Sequence, residues 1–214
     1  MTKIIAFDCD STLSSIEGVD ELARLAGPEI FQQVEESTNQ AMNGEIAVEE
    51  VFGRRLELIR PTREQCLQIG RLYLETIEPA ARETIATLQR DGWTCLIISG
   101  GFAPCIEPLA HDLGISRIEA VPLHFDQDGS YTGFDESYPT TRSGGKPEII
   151  EALKKEFSPE TIVMVGDGVS DLETAPLVDQ FIGYLGFVSR PKVAQNSPLT
   201  ATSLSEIPAL LEKG

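Results

Sequence analysis

The sequence predicts an α/β fold with a doubly wound parallel sheet and one helical insertion. Short apolar runs rich in β-branched residues alternate with helical stretches along most of the 214 residues, as in sheets built from βαβ units. Two of these runs end in an aspartate, and a third ends in a serine followed by two glycines. Polar groups at such positions are typical of the carboxyl ends of parallel strands. Between the first and second strands the pattern is only helical, so the insertion lies there.

The first strand is predicted over residues 4–7, and the helical insertion follows it. Apolar residues recur three and four positions apart in four stretches, which are separated by Gly27, Gly44 and Pro61. The predicted helices cover residues 16–26, 28–42, 47–59 and 63–75. We expect a helical cap domain over residues 15–77 and a core domain made of residues 1–14 and 78–214.

The remaining elements continue the alternation of strand and helix. Helices are predicted over residues 79–90, 103–113, 146–157 and 204–211, and strands over residues 94–98, 118–121, 162–165 and 181–184. Asp128-Gly129 lies between two apolar runs, which is a strong turn signal, so residues 125–131 are predicted to form a hairpin. The alternation predicts a parallel sheet with right-handed crossovers.

Two acidic clusters follow predicted strands that are far apart in the chain. Asp8 and Asp10 follow the first strand, and Asp167 and Asp171 follow the strand at residues 162–165. Mg²⁺ prefers oxygen ligands and usually keeps several waters, so Asp8, Asp167 and the backbone carbonyl of Asp10 would suffice to hold it. Asp171 is expected to bind through a water or to support the other ligands. Taken alone, either cluster also fits a turn or a helix cap.

A third strand end is suited to binding an anion. Ser99, Gly100 and Gly101 precede a predicted helix, whose first N–H groups together with the serine hydroxyl could hold a phosphate. Lys146, in a glycine-containing loop, would supply a cation for the phosphate and for a nucleophilic carboxylate. By themselves, Ser-Gly-Gly also fits a plain turn and a loop lysine also fits solvated surface. The 2 histidines lie outside all of these segments, so zinc is not the expected metal.

Several segments together resemble a known family. They are FDCDST at residues 7–12, EGVDELA at 17–23, AM at 41–42, RL at 55–56, ISGGF at 98–102, SGGK at 143–146 and GDGVSD at 166–171. In this order they resemble the four motifs of the haloacid dehalogenase (HAD) superfamily of phosphotransferases. Over nearly the whole chain they resemble, more closely, the phosphoserine phosphatase family. The resemblance implies a HAD-like Rossmannoid core with an inserted helical cap.

The resemblance also implies a reaction and its catalytic residues. Asp8 would be the nucleophile that forms an aspartyl-phosphate, and Asp10 the general acid and base. Lys146, Ser99 and the backbone around Gly100 would bind the phosphate, with Mg²⁺ as cofactor. The expected reaction is hydrolysis of O-phospho-L-serine to L-serine and phosphate, the last step of phosphorylated serine biosynthesis.

Residues that select the substrate are also carried over from the family. Glu17 would hold the amino group and Arg55 the carboxylate, whereas both also fit solvated helix surface without the resemblance. The other matched positions are Met42, which packs over the substrate, Gly101 beside the phosphate loop and Ser170 as a small polar residue. The family often has phenylalanine where this chain has Val48, and a smaller side chain here would loosen closure or widen specificity.

Composition restricts the partners and the location. The formal net charge of −17 argues against nucleic acid and anionic membranes as partners. No apolar run approaches the roughly 20 residues that span a bilayer, and the N-terminus lacks a secretory signal, so we expect a cytoplasmic protein, monomeric or homodimeric. The four cysteines form no C-x-x-C pair, which favours reduced, buried thiols.

Three alternatives to a phosphoserine phosphatase remain open at this stage. One keeps the chemistry and changes the substrate to another small phosphate ester or to phosphoryl transfer onto an alcohol. A second is a signalling receiver, which also combines acidic residues, Mg²⁺ and a lysine on a doubly wound sheet but needs no cap. A third is a non-catalytic interaction protein.

Overall fold

The computed structural model describes residues 2–43 and 45–212, and its strands form two sheets. The strands are β1 Lys3–Phe7, β2 Trp93–Phe102, β3 Ile118–Val121, β4 Leu123–Phe125, β5 Tyr131–Phe134, β6 Thr161–Gly166, β7 Gln180–Tyr184 and β8 Leu199–Ala201. Six of them form a parallel sheet in the order β3-β2-β1-β6-β7-β8, and β4 and β5 form a separate antiparallel hairpin. Strand order reverses at β1, because β2 lies on one side of it and β6 on the other.

Helices cover both faces of the parallel sheet. They are α1 Gly18–Ala26, α2 Pro28–Met42, α3 Val48–Ile59, α4 Arg63–Glu75, α5 Ala81–Arg90, α6 Ala103–Asp112, α7 Gly145–Phe157, α8 Val169–Leu172, α9 Pro191–Asn196 and α10 Ile207–Leu211. Successive residues of β1 alternate between two apolar clusters, as strand geometry requires. Ile5 and Phe7 pack with α5 and α6, whereas Ile4 and Ala6 pack with α7. The predicted doubly wound α/β fold is thereby confirmed.

The helices α1 to α4, residues 18–75, form a four-helix segment that leaves and re-enters the sheet region at one place. Ser15 N donates to Thr76 O at 3.0 Å, and Glu78 N donates to Leu13 O at 2.9 Å. The chain that enters the four-helix segment is therefore hydrogen-bonded to the chain that leaves it. No helix within the described residues is both long and apolar enough to span a bilayer.

Two contacts in the first half of α3 hold the four-helix segment against the rest of the protein. Phe52 packs against Phe102 and Phe134, with ring centroids 6.0 and 5.4 Å apart. Near the start of α3, Glu49 Oε2 accepts hydrogen bonds from both the backbone N and Oγ of Ser143 at 2.9 Å. Since Ser143 lies in the loop before α7, the first turn of α3 is tied to that loop.

Some elements differ from the predicted ones. β2 continues through the serine and glycines to Phe102, with a register shift against β3 after Ile98. β8, α8 and α9 are too short to show a periodicity. β8 pairs with β7 at the edge of the sheet, and α8 and α9 pack through Leu172 and Val193 onto the apolar cluster that contains Ile4 and Ala6. The last predicted helix opens with a 3-10 turn over Leu204–Glu206. The predicted hairpin is present as β4 and β5, and in its turn Asp126 Oδ1 accepts a hydrogen bond from Ser130 N at 2.8 Å.

All four cysteines are buried with free thiols, as expected for a reduced protein. Cys9 lies between the two first-cluster aspartates in sequence but belongs to the apolar cluster on the α5 and α6 face. Burial, followed by the nearby Asp10 and Asp8 charges, raises the pKa of the Cys9 thiol. Cys9 is therefore a packing residue.

Two Gly→Ala substitutions in helices should have opposite effects on stability, because Gly70 on α4 packs closely against α6 whereas Gly53 on α3 has room for a methyl group. A Cβ at Gly70 would lie 2.5 Å from Pro108 Cγ, whereas a Cβ at Gly53 would meet only Phe134 carbons at 3.7 Å. Gly70→Ala should lower the free energy of unfolding by about 1–2 kcal/mol, because overpacking outweighs the gain in helix propensity. Gly53→Ala should raise it by up to about 1 kcal/mol. Urea unfolding measures both, and a stabilised Gly70→Ala would contradict the packing.

Candidate active site

The carboxyl ends of β1 and β6 bring the two acidic clusters together. The strands pair in parallel with Phe7 opposite Val165, and Asp8 N donates to Val165 O at 2.9 Å. The residues after each strand end, Asp8 and Asp167, therefore emerge at the same edge of the sheet. This edge is where the strand order reverses, which is the position at which open α/β sheets bind ligands.

Asp8, Asp167 and Asp171 form a cluster of buried carboxylates. One oxygen from each lies within 4.8 Å of the others. Burial and the neighbouring Asp8 charge raise the pKa of Asp167 to about 6, and the same two causes raise the pKa of Asp171. Three carboxylates this close repel one another strongly unless cations lie among them.

Lys146 and Arg190 supply two of the required positive charges. Lys146 Nζ lies 2.9 Å from Asp8 Oδ2 and 2.6 Å from Asp171 Oδ1. Burial lowers the pKa of Lys146, but Asp171 and Asp8 raise it more, so the net shift is upward. Arg190 Nε donates to Asp167 Oδ2 at 2.9 Å. These contacts lie between side chains that are at most 6% exposed.

The residues of this cluster fit a divalent cation. The five carboxylates around the cluster outnumber the three cations Lys146, Arg190 and Arg55 within the described residues; they are Asp8, Asp10, Glu17, Asp167 and Asp171. The donor atoms are all carboxylate oxygens, which suit hard cations such as Mg²⁺ and Ca²⁺ rather than zinc. Asp171 already accepts from Lys146 and, through Oδ2, from Gly168 N at 2.9 Å. Its contacts therefore suit a residue that supports the ligands Asp8 and Asp167.

Asp10 is held by the four-helix segment. Its Oδ1 accepts from Gly18 N and from the Tyr73 hydroxyl, both at 2.6 Å. Its Oδ2 lies 3.4 Å from Ser99 Oγ. Burial and the Asp8 charge raise the pKa of Asp10 to about 6, although the hydrogen bonds from Tyr73 and Gly18 lower it. One oxygen is thus fixed by two donors, and the other has weaker contacts.

Ser99 lies behind the wall of the site rather than in it. Its buried Oγ accepts from Gly101 N at 2.9 Å, and Gly100 and Gly101 line the cleft in front of it. A Cβ at Gly101 would lie 2.9 Å from Asp10 Oδ2, so the close approach of this backbone to Asp10 requires glycine. The phosphate contact of Ser99 stays a prediction, and its hydroxyl lies between Gly101 N and Asp10 Oδ2.

One cleft contains most of the predicted site residues. Its lining includes Asp8, Asp10, Glu17, Arg55, Gly100, Gly101, Lys146 and Ser170, together with Val48, Phe52 and Phe102 as an apolar wall. The side chain of Met42 lies outside the described part of the chain. Asp167 and Asp171 are fully buried beside the cleft. Residues from five parts of the sequence thus meet in one space.

Arg190 is a site residue that the sequence pattern did not predict. Besides its bond to Asp167, its Nη2 lies 3.4 Å from Glu17 Oε1, which also accepts from Ser11 Oγ at 2.7 Å. Burial and the charges of Asp10 and Asp167 raise the pKa of Glu17. Arg190 precedes α9, in the loop after the carboxyl end of β7. The sequence shows only a cation in the loop after a further strand, which does not specify a contact with Asp167.

Comparisons with known proteins agree with this arrangement. A family model described as haloacid dehalogenase-like hydrolase matches residues 2–179. The chain is 40% identical to a phosphoserine phosphatase of Bos taurus over 211 residues, 98% of this chain and 93% of that protein. A phosphoserine phosphohydrolase-like protein of Francisella tularensis aligns with a TM-score of 0.88 at 27% identity, over 99% of this chain and 100% of that one. A phospho-aspartyl intermediate analogue of a phosphoserine phosphatase aligns with a TM-score of 0.84 at 27% identity, over 98% of each chain.

The raised pKa values of Asp10 and Asp167 predict how the stability of the metal-free protein depends on pH. Both are about 6 in the folded protein against an ordinary value of 3.8. The folded state therefore holds protons that the unfolded chain releases, and this stabilisation is lost as the pH rises through about 6. From pH 7 to pH 5 the free energy of unfolding should rise by about 1 kcal/mol for each group.

Urea unfolding with a chelator present measures this dependence. Asp167→Asn serves as the control, because it removes one of the two groups and should reduce the rise between pH 7 and pH 5. A wild-type stability that falls over the same interval would contradict the prediction.

Proposed function

The chain belongs to the haloacid dehalogenase-like hydrolases and, within them, to the phosphoserine phosphatase family, and we propose that it hydrolyses O-phospho-L-serine to L-serine and phosphate through an aspartyl-phosphate. It is a phosphatase, as the sequence predicted. The observation that carries the proposal is the cleft in which Asp8, Asp10 and Lys146 face the same space as Glu17 and Arg55. Phosphoryl chemistry and amino-acid recognition thus share one site.

Asp8 is the proposed nucleophile. Its Oδ1 accepts from Cys9 N at 2.7 Å and its Oδ2 contacts Lys146, so the carboxylate is fixed in orientation. An Asp8 oxygen attacks phosphorus, and the bond between phosphorus and the serine oxygen breaks. Lys146 and the backbone at Gly100 offset negative charge on the phosphoryl oxygens.

Asp10 is the proposed general acid and base. Protonated Asp10 gives its proton to the departing serine oxygen through Oδ2, the oxygen not held by Gly18 and Tyr73. The resulting carboxylate then takes a proton from a water that attacks phosphorus, and the bond from Asp8 to phosphorus breaks to release phosphate. Each turnover therefore restores both aspartates.

Asp8, Asp167 and the backbone carbonyl of Asp10 would hold the proposed Mg²⁺, with Asp171 in support. When bound, the ion offsets charge on the transferred phosphoryl group. Lys146 and Arg190 leave an excess of negative charge on the cluster of three carboxylates, which supports a divalent ion at this place.

Glu17 and Arg55 are the proposed selectivity residues. Glu17 would bind the substrate ammonium and Arg55 its carboxylate, and Gly101 and Ser170 line the same cleft. Both charged side chains are largely buried rather than solvated, with Arg55 9% exposed and the Glu17 side chain 19% exposed. A buried guanidinium is costly unless an anion meets it, which favours a binding role.

The wider organisation is also part of the proposal. We propose a core of residues 1–14 and 78–214 and a cap of residues 15–77, supported by the pairing of the chain where the four-helix segment begins and ends. The proposed role is the last step of phosphorylated serine biosynthesis in the cytoplasm, by a monomer or homodimer.

A panel of small phosphate esters, each tested with Mg²⁺ and with a chelator, tests the substrate and the metal. O-phospho-L-serine should have the highest kcat/KM, and removal of the metal should abolish turnover. Another ester with a clearly higher kcat/KM would overturn the proposed substrate.

Asp8→Asn should reduce kcat by at least about 10⁴-fold because no acyl-phosphate forms. Stable phosphorylation of Asp8 without phosphate release would instead indicate a receiver.

Arg55→Ala should separate substrate recognition from chemistry. The loss of the guanidinium should lower kcat/KM for O-phospho-L-serine by about 10²-fold while lowering it much less for an aryl phosphate that has no carboxylate. Arg54→Ala, at an exposed neighbouring position on α3, is the matched control and should behave as wild type. Equal losses on both substrates would contradict the carboxylate role of Arg55.

A further inference from the structure

A buried polar row crosses three helices of the four-helix segment. Asp20 lies on α1, Thr38 on α2 and Arg55 on α3, and the three are 8, 3 and 9% exposed. Thr38 and Arg55 line the cleft, whereas Asp20 lies outside its lining. The row therefore leads from the interior of the four-helix segment to the substrate space.

A direct hydrogen bond joins two members of the row. Arg55 Nη1 donates to Thr38 Oγ1 at 3.1 Å. A threonine hydroxyl can donate its proton while it accepts, and the Thr38 hydroxyl lowers the pKa that burial raises at Asp20. Thr38 therefore contacts the guanidinium directly and also favours the charged form of a buried carboxyl on another helix.

Asp20 also offsets the charge of Arg55. Burial lowers the pKa of Arg55, and the charges of Asp20, Glu17 and Asp10 raise it, with Asp20 contributing most of the three. Glu17 and Asp10 belong to the site itself, where substrate groups also contact them. Asp20 lies outside the cleft lining, so a substrate bound in the cleft leaves its charge in place beside Arg55.

Two atoms of the row have no hydrogen-bond partner within the described part of the chain. They are Arg55 Nε and Asp20 Oδ1, both of which are buried. The Arg55 guanidinium is thus fixed through Nη1 and still has an unused donor. A substrate carboxylate in the cleft is the group that would use it.

We propose that Thr38 and Asp20 are positioning residues that fix Arg55 for the substrate carboxylate and so set the preference for phosphate esters that carry one. The inference rests on the proposed function and assigns this selectivity to a row on three helices. Without the row, the guanidinium would keep its charge and lose its fixed orientation, which weakens discrimination more than chemistry.

The experiment compares O-phospho-L-serine with O-phosphoethanolamine, which has the same phosphate and ammonium groups and lacks the carboxylate. Thr38→Val removes the hydroxyl and keeps the shape, and Thr38→Ser keeps the hydroxyl. We expect Thr38→Val to lower the ratio of the two kcat/KM values about tenfold, mainly through a higher KM for O-phospho-L-serine. Thr38→Ser should restore most of that ratio. An unchanged ratio, or equal losses on both substrates, would overturn the inference.

Asp20→Asn gives an independent test and replaces Thr38→Val if that variant does not fold. It should lower the same ratio, because the amide keeps the shape and removes the charge. The wild-type protein separates the two proposals. If it does not prefer O-phospho-L-serine, the proposed substrate is wrong. If it does and both variants keep its ratio, only the positioning role is wrong.

Discussion

Repulsion among three buried carboxylates is the constraint on which the site depends. Asp8, Asp167 and Asp171 come together because β1 and β6 are neighbours with matched ends, and burial removes the water that would screen them. Lys146 bridges two of the carboxylates and Arg190 holds the third. The first turn of α7 and the loop after β7 therefore have to reach the same edge of the sheet, because each brings one of these cations.

The four-helix segment contacts residues of both proposed roles, chemistry and recognition. Gly18 and Tyr73 donate to one oxygen of Asp10, so helices outside the sheet orient a residue that the sheet supplies. The same segment provides Arg55 to the cleft, and Glu17 lines the cleft from the position directly before α1. With the proposed roles, changes in how these helices pack would alter proton transfer at Asp10 together with the choice of substrate.

The sequence predicted features that depend on local patterns. The order of strands and helices, the hairpin turn and the placement of Asp8 and Asp167 at one edge followed from periodicity and from strand ends. Arg190, β8 and the partners of Asp10 were not predictable in that way, because they depend on contacts across the fold. The position of Ser99 behind Gly101 also depends on the continuation of β2 beyond the serine, which a residue pattern does not show.

The paired entry and exit of the four-helix segment have a consequence for evolution. Because the hydrogen bonds of Ser15 with Thr76 and of Glu78 with Leu13 fix the two ends beside each other, the path of the chain through the sheet does not require a particular length of segment between them. The entropy of closing a loop grows only with the logarithm of its length. Lineages could therefore lengthen, shorten or exchange this module and acquire new substrates while inheriting the phosphoryl chemistry unchanged.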